Sequence, residues 1–363
     1  MDISSVIDRA VSEINDFEAR QKLVFGKLFS LRSLDFSSVG FPENKIVFPV
    51  SKWVANGCVV GVDSGFVSRR FSSIDVVLVR AIASVFGYSN GKLSFSYYYP
   101  GFFTFPVPFF SGSYLEDFEF DQSKSLVRLR EEVRVAKEVI LNYSPKYLFI
   151  DGSIVPQYRD KPRKGSVLEG GYSSIINEFE SLYSLAFSNG TTLIATVEDS
   201  RGKRFCEFLG SDIIPYFLSD FNDDLSNVFD TQLLDVLLKV GERSCAFTYA
   251  KDISQHPILQ DFSSSWADKI YCLYLKPSVL DRPLRVEFLV GVDNNVSSVA
   301  NEVASVVFAL SSLHREYAYP SVLIDADLHA RLSPQEIELV FNKIFDKLGG
   351  SSRLRLRREN RPF

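Results

Sequence analysis

Apolar side chains recur at helical spacing between residues 1 and 34. Such a period places them on one face of a helix. We therefore predict a long amphipathic leading helix that packs on the body of the protein or on a second copy. The positions that define this face are Ile3, Val6, Ile7, Ala10, Val11, Ile14 and Phe17.

From residue 58 the pattern changes to short runs that favour β-strands. An apolar run over 58–63 ends in an aspartate, and two further runs cover 74–86 and 93–99. The sequence Ser89-Asn90-Gly91 between the last two is typical of a hairpin turn. Three consecutive antiparallel strands, a meander, are therefore predicted.

Beyond the meander, helical and strand periods alternate, and no internal repeat interrupts them. The predicted order is β-β-β-α-β-α-β, followed by further mixed structure, so the fold class is α/β. The predicted helices cover residues 126–141, 172–187, 227–240, 296–310 and 334–348, and the predicted strands cover residues 146–151, 191–197, 245–249, 269–275 and 284–290.

The segment 97–110, YYYPGFFTFPVPFF, fits neither a helix nor an ordinary solvated loop. Its proline and glycine residues break a helix, and its aromatic content is too high for a segment that contacts only water. We expect it to be covered by another surface.

The composition is that of a globular protein with a substantial core. Of the 363 residues, 46% are hydrophobic, and no uncharged apolar run is long enough to cross a membrane. The start Met1-Asp2-Ile3-Ser4 lacks the pattern of a secretory signal, so we expect a cytoplasmic protein without a membrane segment. The cysteines form no CxxC pair, which favours buried, reduced side chains over a zinc or disulfide framework. These cysteines are Cys58, Cys206, Cys245 and Cys272.

Two predicted strands end alike, each with one aspartate after a buried apolar run. They are 60–65 (VGVDSG), which contains Asp63, and 148–153 (LFIDGS), which contains Asp151. Glycine and serine leave room for a ligand beside the backbone, so we expect both carboxylates to be exposed to a cleft. Neighbouring carboxylates repel each other unless a cation lies between them. The pair therefore predicts a Mg²⁺ or Mn²⁺ site, although each aspartate taken singly is more typical of a turn or helix cap.

The net charge of −5 argues against a protein that coats nucleic acid through a broad basic face. It is compatible with a phosphodiester-cleaving enzyme, because bound cations neutralise the phosphate contacts that basic side chains otherwise make. The charge therefore leaves a nuclease open.

The helix that precedes Asp151 carries two adjacent acids, Glu131 and Glu132. Glu132 belongs to an i, i+4 row with Ala136 and Ile140 that is predicted to face the sheet, which makes it a candidate third ligand. The alternative is a solvated charged face, whose arginines are Arg128, Arg130 and Arg134.

Four segments together resemble the NurA nuclease family: GVDSGF at 61–66, RLREEVRVA at 128–136, FIDGS at 149–153 and YPSVLIDADLHA at 319–330. The resemblance implies an RNase H-like (PIWI-like) mixed sheet flanked by helices, with added helices at the N-terminus and insertions. It also implies a homodimer that works with a HerA-type hexameric ATPase in resecting DNA ends at double-strand breaks, usually with Mn²⁺.

The resemblance carries over the acids position by position. The strand acid falls on Asp63, the helix acid on Glu132 with Glu131 as the alternative, and the central acid on Asp151. These three are metal ligands in the implied site.

The last of the four segments, 319–330, supplies a fourth candidate ligand, Asp327. His329 takes the histidine role if the register shifts, and Asp325 is the other near neighbour. The alternative is a structural histidine or a helix-capping aspartate. The resemblance thus implies a catalytic set of Asp63, Glu132, Asp151, Asp327 and His329, of which the four acids bind the metal.

Two departures from the family pattern are visible. The first motif is Asp-Ser-Gly rather than Asp-Gly-Ser, and residues 197–201 lack the lysine that the family often has there. Lys203 or Arg201 is the candidate substitute. Without a cation at the scissile phosphate, the metal alone must meet the transition-state charge, and the reaction slows.

The resulting hypothesis is two-metal hydrolysis, with Asp63 and Asp151 sharing cations about 3.5–4 Å apart and with Glu132 and Asp327 completing their shells. One alternative is an actin-like or sugar-kinase-like ATPase, which needs a longer second phosphate loop than 151–156 provides. The other is an inactive scaffold for a translocase.

Three regions follow from the resemblance: an N-terminal helical segment over 1–50, a nuclease domain over 51–348 and a basic tail over 349–363. Within the tail, residues 353–358 alternate arginine and leucine, which is typical of a frayed end or of a contact with DNA or a partner. The aromatic segment 97–110 either stacks bases or closes a protein interface, and its scarcity of basic residues favours the interface.

Overall fold

The computed structural model describes residues 2–35, 42–71, 74–112, 114–218, 225–291 and 294–347. The predicted tail and its arginine-leucine repeat lie outside the described residues. The strands are β1 (Val47–Pro49), β2 (Gly57–Arg70), β3 (Ile74–Ser89), β4 (Lys92–Tyr99), β5 (Val107–Gly112), β6 (Tyr147–Asp151), β7 (Thr192–Val197), β8 (Glu242–Ser244), β9 (Phe247–Thr248), β10 (Ile270–Leu275) and β11 (Leu284–Leu289). The helices are α1 (Ile3–Lys27), α2 (Asp117–Tyr143), α3 (Glu169–Ser188), α4 (Arg204–Phe208), α5 (Ile214–Phe217), α6 (Asp230–Leu237), α7 (Ser264–Ala267), α8 (Val296–Ser311), α9 (Ser321–Ala330) and α10 (Pro334–Lys347).

The chain divides into two compact units built from interleaved segments. Unit 1 comprises Met1–Trp53, Val197–Lys251 and Ile270–Tyr319. Unit 2 comprises Val54–Thr196, Asp252–Lys269 and Pro320–Phe363. The division at residues 50 and 348 that the resemblance implied stays a prediction.

Unit 2 is built on a mixed sheet with the strand order β4-β3-β2-β6-β7. Strands β2, β3 and β4 are antiparallel, whereas β6 runs parallel to both β2 and β7. Numbered by their order in this sheet, the strands follow the sequence 3-2-1-4-5, which is the arrangement of an RNase H-like fold. The predicted α/β class and the predicted meander are therefore confirmed.

The long β2–β3 hairpin forms the centre of this sheet. Its register runs without a break from Gly57↔Tyr88 to Arg70↔Asp75, and β3 is buried over most of its length. Asn90 and Gly91 adopt positive φ angles of 52° and 78° at the next turn, as two-residue hairpins require. The outer edge of β3 pairs with β4 along one half and with β5 along the other.

Helices α2, α3 and α9 belong to the same unit and contact one another or the sheet. Helix α2 contacts β2, β3 and α3, and α9 contacts β2, β3 and β6. Helix α2 begins at Asp117, earlier than the predicted residue 126. The spacing of apolar residues along the sequence thus predicted most of the strands and helices of this unit. It did not predict α9 and β5.

Unit 1 contains antiparallel strands in the order β1-β8-β10-β11, with β9 also paired to β10. The predicted leading helix is present as α1, which contacts α6. Its C-terminal end enters the core through Phe25, while the apolar face nearer its start is exposed. The exposed members of that face are Ile3, Val6, Ile7, Val11, Ile14 and Phe17.

None of the described helices combines the length and the apolar composition that a bilayer crossing requires. The four cysteines are free thiols. Three of them are buried as expected, and Cys58 is half-buried on β2.

Candidate active site

Asp63 lies in the middle of β2 rather than at its end. The strand continues to Arg70 and stays paired with β3, while the parallel pairing with β6 stops at Val62↔Ile150. Asp63 is therefore the first residue of β2 after the end of its pairing with β6. The residue is only 5% exposed, so the expected position in an open cleft is wrong for this acid. The long hairpin explains the difference, because it extends the strand past the sequence signal.

Asp151 is the last residue of β6, as the sequence predicted. Gly152 follows with a φ of 91°, a left-handed conformation that suits glycine, and its N–H donates to the Thr196 carbonyl at 2.9 Å. The turn leaves Asp151 half-buried, one position beyond the end of the β2–β6 pairing. Asp63 and Asp151 therefore follow the end of the same parallel ladder, which brings them together.

Glu132 reaches the same place from α2. Its Oε1 accepts hydrogen bonds from the Ser64 hydroxyl at 2.5 Å and from Arg128 Nη1 at 2.6 Å. Glu131, the alternative, is also buried but pairs with Arg134, whose Nε lies 3.0 Å from Glu131 Oε2. Of the two adjacent acids, the structure therefore brings Glu132 to Asp63 and Asp151.

The pKa of Asp63 reflects both its burial and the acids beside it. Burial, followed by the charges of Asp151 and Glu132 and more weakly of Asp327, raises the pKa of Asp63 to about 8. The Ser64 backbone N–H opposes this, since it donates to Asp63 Oδ1 at 2.6 Å. The charged form of Asp63 is therefore disfavoured first by burial and then by neighbouring negative charge.

Glu132 has a raised pKa for the same reasons. Burial raises it most, Arg128 and the Ser64 hydroxyl lower it, and Asp151 and Asp160 raise it. Asp160 is a buried acid that the sequence analysis missed, held by the Ser125 hydroxyl at 2.6 Å. It lies in a three-residue 3₁₀ turn, where the sequence offers no periodic signal.

Helix α9 brings Asp327 to the site because two glycines on β2 let its backbone approach. A methyl group at Gly61 would lie 2.6 Å from the Val322 carbonyl oxygen, and one at Gly65 would collide with the Ala330 carbonyl oxygen. These two glycines were expected to make room for a ligand, and that expectation was wrong, because they make room for the backbone of α9. Side chains alternate along a strand, so Asp63 shares the α9 face with both glycines.

Asp327 and His329 occupy different surroundings on α9. Asp327 pairs with Arg331, whose Nε lies 3.0 Å from Asp327 Oδ2. The His329 ring packs on Tyr98, with ring centroids 4.2 Å apart, and on Phe102 at 5.1 Å. Its Nδ1 lies 2.8 Å from the Asp325 carbonyl oxygen. Asp327 therefore contributes charge to Asp63, while His329 contacts the aromatic segment.

Asp325 is engaged by side chains of β3 and β4. Its carboxylate accepts hydrogen bonds from the Ser84 hydroxyl at 2.7 Å and the Tyr98 hydroxyl at 3.5 Å. These contacts fix α9 to β3 and β4.

The aromatic segment is exposed within the chain. Phe103 is 90% and Phe105 is 69% exposed, and the segment begins with the end of β4 and ends with β5. Since a protein surface rarely leaves such side chains in water, the expectation that they are covered stays a prediction for an assembly.

Lys203 and Arg201, the candidate substitutes for the missing lysine, belong to unit 1. Lys203 donates to the Ser226 carbonyl oxygen at 2.8 Å and lies over the Phe229 ring. The described residues of unit 2 offer a different cation, Arg128, which the alternative interpretation of this helix placed on a solvated face. The i, i+4 spacing of Arg128 and Glu132 was the available signal.

The chemistry of the site suits a hard divalent cation. Carboxylates are the ligands that Mn²⁺ and Mg²⁺ prefer, and Asp63 is both buried and close to the charges of Asp151 and Glu132, which together raise its pKa. In the described part of the chain, no three acidic, histidine or cysteine side chains are close enough to surround an ion as they stand. Glu132 in particular is held by Arg128 and Ser64, so an ion bound here would require the side chains to rearrange.

A family model described as the NurA domain matches residues 58–332. The NurA nuclease from Sulfolobus solfataricus is 14% identical, with a TM-score of 0.49 over 96% of this chain and 98% of that chain. A crystal structure of NurA with manganese is 13% identical, with a TM-score of 0.43 over 83% and 91%. A Ciona intestinalis endonuclease V bound to DNA is 12% identical, with a TM-score of 0.32 over 91% and 99%. A comparison with curated proteins gives no match. The region that the family model matches contains every acid from Asp63 to Asp327.

Proposed function

The chain belongs to the NurA family, and from that premise we propose that it is a metal-dependent nuclease that hydrolyses phosphodiester bonds at DNA ends. The observation that carries the proposal is that two strands and a helix bring Asp63, Glu132 and Asp151 together at a buried position, where burial and then the neighbouring charges raise the pKa of Asp63 to about 8. Such a cluster is unfavourable without a cation and favourable with one.

Asp63, Glu132 and Asp151 are the proposed metal ligands, with Asp327 as the fourth. Mn²⁺ or Mg²⁺, two ions in the full proposal, would polarise the phosphate and lower the pKa of an attacking water. Asp63 and Asp151 supply the central oxygens because they follow the end of one parallel ladder. Glu132 supplies its oxygens from α2, and Ser64 fixes its position by donating to Oε1.

His329 is the proposed fifth member of the catalytic set. The Asp325 carbonyl engages Nδ1, and Tyr98 and Phe102 hold the plane of the ring. When Nδ1 carries the proton, Nε2 is the nitrogen that accepts one. We assign His329 the role of exchanging a proton at Nε2 with the substrate or its leaving group.

The wider role is proposed from the family alone. The protein acts in the cytoplasm in double-strand break resection, as a homodimer and with a HerA-type hexameric ATPase. Two exposed apolar surfaces are available for such partners: the face of α1 around Ile7 and Ile14, and the aromatic segment around Phe103. An inactive scaffold would use the same surfaces but would not cut DNA.

The proposal is tested by incubating end-labelled linear DNA, single-stranded and double-stranded, with Mn²⁺, Mg²⁺ or EDTA and separating the products on a gel. We expect cleavage with a divalent ion and none in EDTA. The ladder from each labelled end also gives the direction of cleavage. Intact DNA under all ion conditions, with or without a HerA-type ATPase, would refute the nuclease and leave the scaffold.

A further inference from the structure

Arg128 is an arginine on α2 that contacts the acid cluster directly through Glu132. Its Nη1 donates to Glu132 Oε1 at 2.6 Å, and the charges of Glu132, Asp63, Asp160 and Asp151 all raise its pKa. The guanidinium therefore lies within the field of the acids that are proposed to hold the metal. An arginine on a solvated helix face would have no such set of neighbours.

The contact with Glu132 uses only part of the Arg128 guanidinium. A guanidinium has five N–H donors in a planar fork, which matches the oxygens of a phosphate. Within the described residues, Nη1 is the Arg128 nitrogen that makes a hydrogen bond, and 25% of the side chain is exposed. The remaining donors are thus available to a group that enters the site from solvent.

A neighbouring arginine provides an internal comparison. Arg130 lies two residues further along α2, is exposed, and forms no hydrogen bond or ion pair with another described residue. Helical geometry places residues two positions apart on different faces. Arg128 therefore faces the acids, whereas Arg130 faces solvent.

We infer that Arg128 binds a phosphate of the DNA at the cleavage site and supplies the protein cation that offsets negative charge there. This inference rests on the proposed nuclease function. It assigns Arg128 two contacts, one to Glu132, which it positions, and one to a phosphate oxygen through its remaining N–H groups. Phosphoryl oxygens gain negative charge in the transition state, so a preorganised guanidinium favours that state over the ground state.

The test compares Arg128→Met with the matched control Arg130→Met. Binding of a fluorescently labelled single-stranded oligonucleotide is measured by anisotropy in Ca²⁺ over a range of salt concentrations, with the oligonucleotide checked for integrity on a gel. We expect Arg128→Met to bind about 10-fold more weakly or worse, as loss of a charge-assisted hydrogen bond predicts, and to show a shallower salt dependence by about one phosphate contact. Arg130→Met should bind like the unmodified protein.

Kinetics in Mn²⁺ give the second readout. Arg128→Met should lower kcat by about 10-fold or more, because the contact strengthens in the transition state, while Arg130→Met leaves kcat unchanged. Arg128→Lys keeps the charge and loses the planar fork, so it should fall between the two. If a thermal melt shows that Arg128→Met does not fold, Arg128→Lys replaces it in the comparison with Arg130→Met.

The outcomes separate the two proposals. If the unmodified protein cuts DNA and Arg128→Met matches Arg130→Met in affinity, salt dependence and kcat, the phosphate role of Arg128 is overturned and the nuclease stands. If Arg128→Met loses only thermal stability while its kcat and affinity per folded molecule are unchanged, Arg128 is a structural partner of Glu132 and the inference is again overturned. If the unmodified protein neither binds nor cuts DNA, the nuclease proposal itself fails.

Discussion

Each of the two units buries a glutamate beside an arginine, but the two sites differ in how the charge is balanced. In unit 1, Arg243 Nη1 and Nη2 donate to the two oxygens of Glu43 at 2.8 and 2.5 Å. The Ser297 hydroxyl and the Ala246 N–H add bonds of 2.7 and 2.6 Å to the same carboxylate. Both side chains are almost completely buried, so the pair is closed to solvent.

In unit 2, the charges do not cancel in this way. Glu132 is paired with one arginine, Arg128, and the charge of Arg128 also interacts with Asp63 and Asp151. Asp63 has the Ser64 N–H as its hydrogen-bond donor, and its pKa is raised to about 8. A buried carboxylate with a matched partner supports the fold, whereas a buried set with excess negative charge supports binding of a cation.

The largest expected effect on cleavage comes from changing the acid cluster of unit 2. Asp151→Asn should lower Mn²⁺-dependent DNA cleavage on the order of 10³-fold or more, because it removes a charged oxygen from the metal ligands. The cleavage rate of end-labelled DNA gives the measurement, and the protein should stay folded. Asp121→Asn, an exposed acid on α2, is the control. Equal rates for both variants would remove Asp151 from the mechanism.

A change in the buried Glu43–Arg243 pair of unit 1 should have the opposite effect: it should lower stability and leave cleavage unchanged. Glu43→Gln leaves the buried Arg243 without its counter-charge and should lower the free energy of unfolding by about 3–5 kcal/mol. Chemical denaturation measures the loss. Cleavage per folded molecule should be unchanged at a temperature where the variant is folded. A stable but inactive Glu43→Gln protein would contradict the distinction between the two sites.

The pH dependence of stability without metal sharpens the comparison. The folded-state pKa of Asp63, about 8, lies above its ordinary value of 3.8, so the folded protein binds more protons than the unfolded protein between these values. Stability should therefore fall as pH rises through this range, on the order of a few kcal/mol in total. In Asp63→Asn the fall should be smaller, and the variant should be more stable than the parent at pH 9 in EDTA. Identical pH profiles from denaturation would show that Asp63 is not destabilised by its neighbours.

The smallest effect concerns how α9 is held against the sheet. Gly65→Ala introduces a methyl group that collides with the Ala330 carbonyl, and it should cost about 1–3 kcal/mol of stability. Because α9 carries Asp327, cleavage should also decrease. Gly170→Ala is the matched control, since its new methyl group meets no atom within 4 Å. Thermal melts that do not differ between the two variants would mean that close packing of α9 is unnecessary.

Local sequence patterns predicted the framework of unit 2 well. The strand before Asp151, the meander and the turn at Asn90-Gly91 depend on neighbouring residues, so periodicity and turn chemistry identified them. The same patterns gave the positions of Asp63 and Asp151 in the chain. They did not give the burial of Asp63, because that depends on β2 continuing along β3 past the aspartate.

The choice between Glu131 and Glu132 depends on packing in three dimensions. Helix α2 contacts both the sheet and α3, so both glutamates are buried, and the i, i+4 row that favoured Glu132 did not exclude Glu131. Helix α9 was missed because it is only ten residues long and is held by backbone contact with Gly61 and Gly65 rather than by a wide apolar face. Asp160 gave no signal because it lies in a 3₁₀ turn.

The most direct measurement is Mn²⁺ binding by isothermal titration calorimetry, made on the unmodified protein and on the Asp63→Asn/Asp151→Asn double variant. The ions are proposed to take their oxygens from these two side chains together with Glu132. We expect saturable Mn²⁺ binding by the unmodified protein and its loss in the folded double variant, while Glu43→Gln retains it. Equal Mn²⁺ affinity and stoichiometry in the unmodified protein and the double variant would contradict the assignment of this acid cluster as the metal site.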